Sequence, residues 1–434
     1  MHKVKSIVQA KASVSENNSP QVSVKSKPSF TEKKYVVTLI FVVSLFMLWG
    51  IAITMGDVLN RHFQNVLNVS KSQSGLVQFS IFGAYAIMGI PAGLFMKKYG
   101  YKKGVLLGLV LYALGAFLFV PAADNESFVF FRIALFVLAC GLATLEAVAH
   151  PFVASLGDQR TSDQRMNFAQ AFNGLGAVLG PLIGGFFLLS AGEGAAGGLG
   201  SIKLLYTVIG AVIASIAIAF SFVKVPPLTD AHAVDIDAFE VAAEPGKAVA
   251  PKTLFQHKHF LWAFVAQFFN IAAQGGVWAY FINYGVEQVG LTDESAAYYF
   301  AFSMVMMMVG RFVGTFLIRY IAPNKLLAAF AVANMLMCII VAQSWGWSSF
   351  IALLMINFFL SIMYPTIFSL GLKDLGRHTQ QASSFIVMGM FGGAVFPPIM
   401  GLVANHDVAS AYYLPILCYV VVFLFAVKLY KVRA

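Results

Sequence analysis

Long apolar stretches alternate with short polar ones along this chain, and the apolar stretches are too long for strands. Twelve windows have about the 20 apolar residues that cross a bilayer as a helix. They fall at 36–58, 74–96, 103–122, 128–155, 167–190, 202–223, 259–285, 296–320, 325–343, 347–371, 381–404 and 411–431. Inside them apolar residues run on without alternating, which excludes a β-barrel. The pattern predicts an all-α membrane protein with twelve transmembrane helices. The longest polar interruption, residues 223–259, separates six spans from six. Its Pro, Ala and acidic content reads as a linker with room for one short surface helix. The expected organisation is a flexible tail (1–34), a first six-helix bundle (35–223), a linker (224–257) and a second six-helix bundle (258–434).

The two bundles carry traces of one repeat. Span 4 ends HPFVASLG and span 10 ends YPTIFSLG, so Pro, Ser, Leu and Gly coincide in register. Span 5 holds Pro181 and Gly184, and span 11 holds Pro398 and Gly401, each pair spaced Pro-x-x-Gly. The chain reads GLFMKKYGYKKG after span 2 and GTFLIRYIAPNK after span 8. Three weak matches in the same order point to a duplicated six-helix unit, with the halves related by an axis along the membrane normal. This is the plan of major facilitator transporters.

Composition agrees with the membrane reading: of 434 residues, 59% are hydrophobic and only 11% charged, more apolar than a soluble protein needs. The net charge of +10 is not a nucleic-acid signal, because the basic residues form no aromatic-laced patch. They fall in loops on one side, among them Lys97, Lys98, Lys102, Lys103, Arg160, Arg165, Arg319, Lys325, Lys373, Arg377, Lys428 and Lys431. The opposite loops hold Lys71, Asp124, Glu126, Glu193, Lys203, Asp293, Glu294 and Asp407. The basic side is expected in the cytoplasm, together with both termini, in a multi-pass protein of the cell (inner) membrane. The Lys-rich and Ser-rich first 34 residues show no apolar core with a cleavage site, so no cleaved signal peptide is expected. Cys140, Cys338 and Cys418 lie inside apolar spans without paired spacing, and neither a disulfide nor a metal site is expected. No bound cofactor is expected either.

Ionisable side chains in hydrocarbon are costly and usually face a cavity. Asp57 closes span 1 and Glu146 lies inside span 4. Thr54, Asp57 and Arg61 share one helical face, so Arg61 is placed to pair with an ionised Asp57. Glu146 and His150 are four apart, a spacing at which the two could share a proton. The repeat partner of Glu146 is Leu360, so the titratable work falls to the first half. Gln170 and Asn173 share a face of span 5. Gln267, Asn270, Gln274 and Trp278 fall within about an 80° sector of span 7, at roughly 100° per residue. Amides offer paired donors and acceptors to hydroxyls, and a ring covers a C–H face, which suits a sugar. The same residues could instead hold helices together. Tyr364, beside Pro365, is a further cavity candidate, whereas Trp49, Tyr85 and Tyr280 read as packing or interfacial residues.

The segments FMLWG, GDVL, GLVQ, IPAGLFMKKYGYKKG, GLATLEAVAHPFVASLG, NFAQAFNGLGA, AQFFNIAAQGGVWAYFINYGVE, GRFVGTFLI, YPTIFSLGLKDLG and SSFIVM resemble the fucose permease branch of the fucose–galactose–hexose symporter family, in the major facilitator superfamily. The resemblance runs from about residue 36 to 430. It implies a sugar/proton symporter working by alternating access, with the proton as coupling ion. It places the functional carboxylates on Asp57 and Glu146, the span 5 amides on Gln170 and Asn173, and the span 10 tyrosine on Tyr364. Two departures lie near the expected cavity: Thr54 replaces an amide before the span 1 acid, and His150 stands where the family has Asn. They leave L-fucose, glucose, galactose and mannose open. The expected partners are a monosaccharide, a proton and the bilayer, with no nucleic acid, for a monomer that is not an enzyme. Sodium coupling or passive transport is the alternative. A sugar sensor without flux is a third reading, but tail and linker are short and polar for an output module.

Overall fold

The computed structural model describes residues 30–157, 161–189, 198–223, 254–375 and 379–431. Most of the expected tail and linker, with Arg160, Glu193 and Arg377, lies outside the described residues. Among the described residues, twelve helices are long and apolar enough to cross a membrane. Spans 1 to 6 are Lys33–Leu67, Lys71–Met96, Lys98–Asp124, Phe128–Ser155, Gln164–Leu189 and Leu199–Phe222. Spans 7 to 12 are Lys258–Ala279, Asp293–Leu317, Pro323–Ala342, Trp347–Gly371, Phe385–Ala404 and Ser410–Leu429. The helix that carries spans 2 and 3 kinks just inside span 3 at Gly100, whose φ of 83° suits a residue without a Cβ. Because successive spans alternate in direction, span 1 begins and span 12 finishes at one end of the bundle, called here the tail end. The other is the far end.

Three spans differ from their sequence windows. Span 1 continues past its apolar run to Leu67, because Leu59 and Phe63 are buried, Asn60 and Arg61 bond to the second half, and His62 meets the Leu188 carbonyl of span 5. Span 7 stops at Ala279 and a separate helix, Phe281–Val289, follows a break at Tyr280. Span 10 breaks at Ser361–Ile362 before resuming at Met363. Pro365 has no N–H to offer Ser361, so the helix ladder is interrupted there.

Buried apolar residues form two clusters. One is built mainly from spans 1 to 6 and the other from spans 7 to 12. Span 1 crosses span 5 at backbone contact: a Cβ on Gly176 would sit 2.0 Å from the Met47 carbonyl oxygen. The second half repeats this crossing between spans 7 and 11, where a Cβ on Gly392 would sit 1.9 Å from the Phe268 carbonyl oxygen.

The halves are joined by polar contacts that gather at the far end. Arg61 meets Asp293 at 2.6 Å, and Asn65 donates to the other oxygen of the same carboxylate at 2.7 Å. Lys71 reaches Glu287 at 2.8 Å and the Ala404 carbonyl at 2.9 Å. Asn60 donates to the Ala279 carbonyl and Asn283 to Gln64, and the single Tyr280 hydroxyl hydrogen lies between the Pro397 carbonyl of its own half at 2.7 Å and the Lys71 carbonyl of the other at 2.9 Å. Ser72 and Asn405 bond through backbone and side chain. Together they shut the far end. Asp293→Asn is expected to loosen this latch. An ion pair with some solvent access is worth up to about 1 kcal/mol, so opening should become roughly fivefold more frequent. A cysteine replacing the fully buried Ser74 would report it through faster reaction with a polar maleimide in detergent. Unchanged labelling would show that the ion pair does not hold the halves.

Candidate functional site

Asp57 is 4% exposed and accepts a hydrogen bond from Gln78 Nε2 of span 2 at 2.7 Å. Arg61, one turn on, turns away to Asp293 instead, so the Asp57–Arg61 pairing expected from spacing does not form. Thr54, also buried, donates to the Gly50 carbonyl at 3.0 Å. An ionised Asp57 would thus face an amide and no paired cation among the described residues. A proton is the simplest way to remove that charge.

Glu146 is half-buried on span 4. Its side-chain partner is the Tyr85 hydroxyl of span 2, and its Oε2 has no hydrogen-bond partner. The Trp49 indole N–H donates in turn to Tyr85 at 2.5 Å. From the second half, Tyr364 packs against the first half's core. His150 does not share a proton with the Glu146 carboxyl, as its spacing had suggested. Its Nδ1 lies 2.8 Å from the Glu146 backbone carbonyl, and its Nε2 lies 2.9 Å from Gln170 Nε2. The ring turns back along its own helix to the backbone oxygen one turn earlier, which leaves the carboxyl without it. Asn173 donates to the Phe46 carbonyl at 3.1 Å, which fixes span 5 against span 1.

Span 2 therefore carries a partner for each acid. Gln78 serves Asp57 and Tyr85 serves Glu146, seven residues and two turns apart, or about 10 Å along the helix. The acids occupy two levels, Asp57 nearer the far end and Glu146 nearer the tail end.

The span 7 stripe divides. Gln267 and Asn270 are buried, and all four of their side-chain nitrogen and oxygen atoms lack a hydrogen-bond partner. Gln274 is half-buried. Trp278 is seated in the second core: its N–H donates to Asn357 at 2.7 Å, Asn357 donates to Ser303, and its ring meets Phe300 edge-on at 6.2 Å. The structure thus brings Glu146, His150, Gln170 and Tyr364 together, keeps Asp57 on a separate level, and places Trp278 in the packing of the second half.

Sequence reasoning passed over Gln78 and set Trp49 and Tyr85 aside as packing residues, yet these three touch the acids or their partners. The i, i+7 spacing of Gln78 and Tyr85 was a usable signal. Tyr280, a packing or interfacial residue by sequence, places its hydroxyl between a carbonyl of each half, Pro397 and Lys71.

Comparison with known proteins comes down on the same architecture. Residues 36–397 match the family described as Major Facilitator Superfamily. The chain is 37% identical to the L-fucose-proton symporter of Escherichia coli (strain K12) over 420 residues, covering 92% of this chain and 94% of that one. It is 34% identical to the glucose/galactose transporter of Brucella abortus biovar 1 over 394 residues, 90% of this chain and 93% of that one. Among solved structures, it matches a Major Facilitator Superfamily transporter, FucP, in the outward conformation. That match has 36% identity and a TM-score of 0.65, covering 91% of this chain and 99% of that one.

Proposed function

The chain belongs to the Major Facilitator Superfamily, and from that premise we propose that it imports a monosaccharide together with a proton by alternating access. The sugar is L-fucose or a related hexose such as glucose, galactose or mannose. The observation that carries this reading is the pair of acids on the first half, each held by an uncharged partner on span 2. Such acids can be neutralised by a proton before the halves reorient, so no bare charge crosses low dielectric.

In this reading Asp57 carries the coupling proton. Glu146 links the proton to the sugar, with Gln170, Asn173 and His150 beside it and Tyr364 closing from the other half. Gln267, Asn270 and Gln274 offer amides from span 7, and Trp278 steadies that wall through Asn357. With the tail end in the cytoplasm, as the basic loops favour, both termini are inside the cell. The latched far end is then the extracellular side, closed in this state. One chain contains both halves of the path, so a monomer suffices. The chain has no enzymatic role in this reading.

Proteoliposomes test it. Sugar entry should alkalinise a weakly buffered external medium, and a proton gradient should concentrate the sugar. A competition panel of L-fucose, galactose, glucose and mannose would name the substrate. Concentration driven by a sodium gradient at clamped pH would overturn proton coupling, and sugar binding without flux would favour the sensor.

A further inference from the structure

We propose that His150 is a positioning residue that fixes which way round the Gln170 carboxamide meets the sugar, and that a proton on its ring reverses that presentation. The inference rests on the sugar-transport reading and goes beyond it. A carbonyl oxygen only accepts, so the 2.8 Å contact from Nδ1 to the Glu146 backbone oxygen requires a hydrogen on Nδ1. An amide nitrogen only donates, so the 2.9 Å contact from Gln170 Nε2 requires a bare lone pair on His150 Nε2. Both conditions hold for the neutral Nδ1–H tautomer alone. Gln170 then spends an N–H on the ring and keeps its Oε1 for a hydroxyl donor.

The alternative arrangement is equally defined. Turning the carboxamide over brings Oε1 to the ring, which needs a hydrogen on Nε2. Nδ1 cannot surrender its own, because it still faces a carbonyl. The ring must therefore be an imidazolium, and Gln170 now presents its NH2 to the sugar. One proton changes an acceptor at the site into a donor.

The surroundings leave this exchange to the His150–Gln170 pair. Span 1 faces the ring with Phe46 and Trp49, at centroid distances of 5.0 and 6.3 Å, and brings no charge. Span 5 brings the neutral Gln170. Glu146 is the carboxyl one turn away on the same helix, with Tyr85 of span 2 and Tyr364 of span 10 around it. His150, Gln170 and Glu146 are each half-buried.

The effect opposes that of the coupling proton. Protonation of Asp57 favours loading, whereas protonation of His150 removes the acceptor that the neutral site offers. Apparent sugar affinity should therefore weaken on the acid side. Sugar counterflow in proteoliposomes, at equal pH on both faces, would read this out. His150→Leu should raise KM about tenfold, the scale of one lost positioning hydrogen bond, with the maximal rate within about twofold. His150→Gln keeps an oxygen that accepts from Gln170 and does not titrate. It should restore KM at neutral pH and abolish the acid-side rise. An unchanged KM in His150→Leu, or an acid-side rise that persists in His150→Gln, would overturn the proposal. If His150→Leu does not fold, the pH profile of His150→Gln decides alone. Wild-type protein that exchanges no monosaccharide would sink the transport reading itself, whereas normal exchange with silent variants counts against His150 only.

Discussion

Asp57→Asn should still exchange sugar across a membrane but no longer concentrate it. Asparagine keeps an oxygen that can accept from Gln78, so the contact between spans 1 and 2 survives. What it removes is the group that can gain and lose a proton. A membrane potential of 100 mV is worth about 2.3 kcal/mol per charge, or roughly 50-fold in concentration. The variant should fall from that order of accumulation to equilibration, while counterflow of labelled sugar continues. Glu146→Gln should differ, losing counterflow as well, because Glu146 stands with Gln170, His150 and Tyr364 where sugar is expected. Uphill accumulation by Asp57→Asn would remove Asp57 from the coupling path. Undiminished counterflow by Glu146→Gln would remove Glu146 from the binding site.

Gly176→Val should cost the fold itself. A Cβ there meets backbone rather than a yielding side chain, at 2.0 Å from the Met47 oxygen and 2.9 Å from its carbon. On the facing helix a Cβ at Gly50 would lie 2.2 Å from the Asn173 oxygen. Span 1 would have to move away from span 5 by more than an ångström, taking its packing with it. Overpacking of this kind costs about 1–3 kcal/mol or more, and it would also displace Asn173 from Phe46. Thermal denaturation followed by size-exclusion fluorescence should show a lowered midpoint and a loss of monodisperse protein. Gly89→Ala is the control, since a Cβ there meets nothing within 4 Å. Wild-type stability in Gly176→Val would show that the crossing can relax.

Much of this architecture was legible from hydropathy, because a helix in lipid must satisfy its backbone internally and be apolar over a fixed length. The same rule made Asp57 and Glu146 conspicuous. Their partners were harder to read. Spacing offered Arg61 to Asp57, but Arg61 takes Asp293, more than two hundred residues away, and Asp57 takes Gln78. Spacing also offered His150 to the Glu146 carboxyl, and the backbone carbonyl of the same residue took the ring instead. Trp278 shares a helical sector with three amides yet spends its N–H on Asn357. Periodicity names the face on which a residue lies. It does not name the helix that will stand opposite, and that neighbour decides the bond. Span 1 outran its apolar window for the same reason: residues 59–67 stay helical because Asn60, Arg61 and Asn65 find partners in the other half and His62 finds one on span 5.

The far-end latch lies where opening admits water at once. Each bond broken there, from Asn60 to Asn405, is exchanged for a bond to solvent, and the net loss per neutral bond is only about 1 kcal/mol. The same set at mid-membrane would leave bare donors and acceptors in hydrocarbon and hold the halves for good. Its position at the rim makes the closure rehydratable, so thermal motion can undo it once in every turnover.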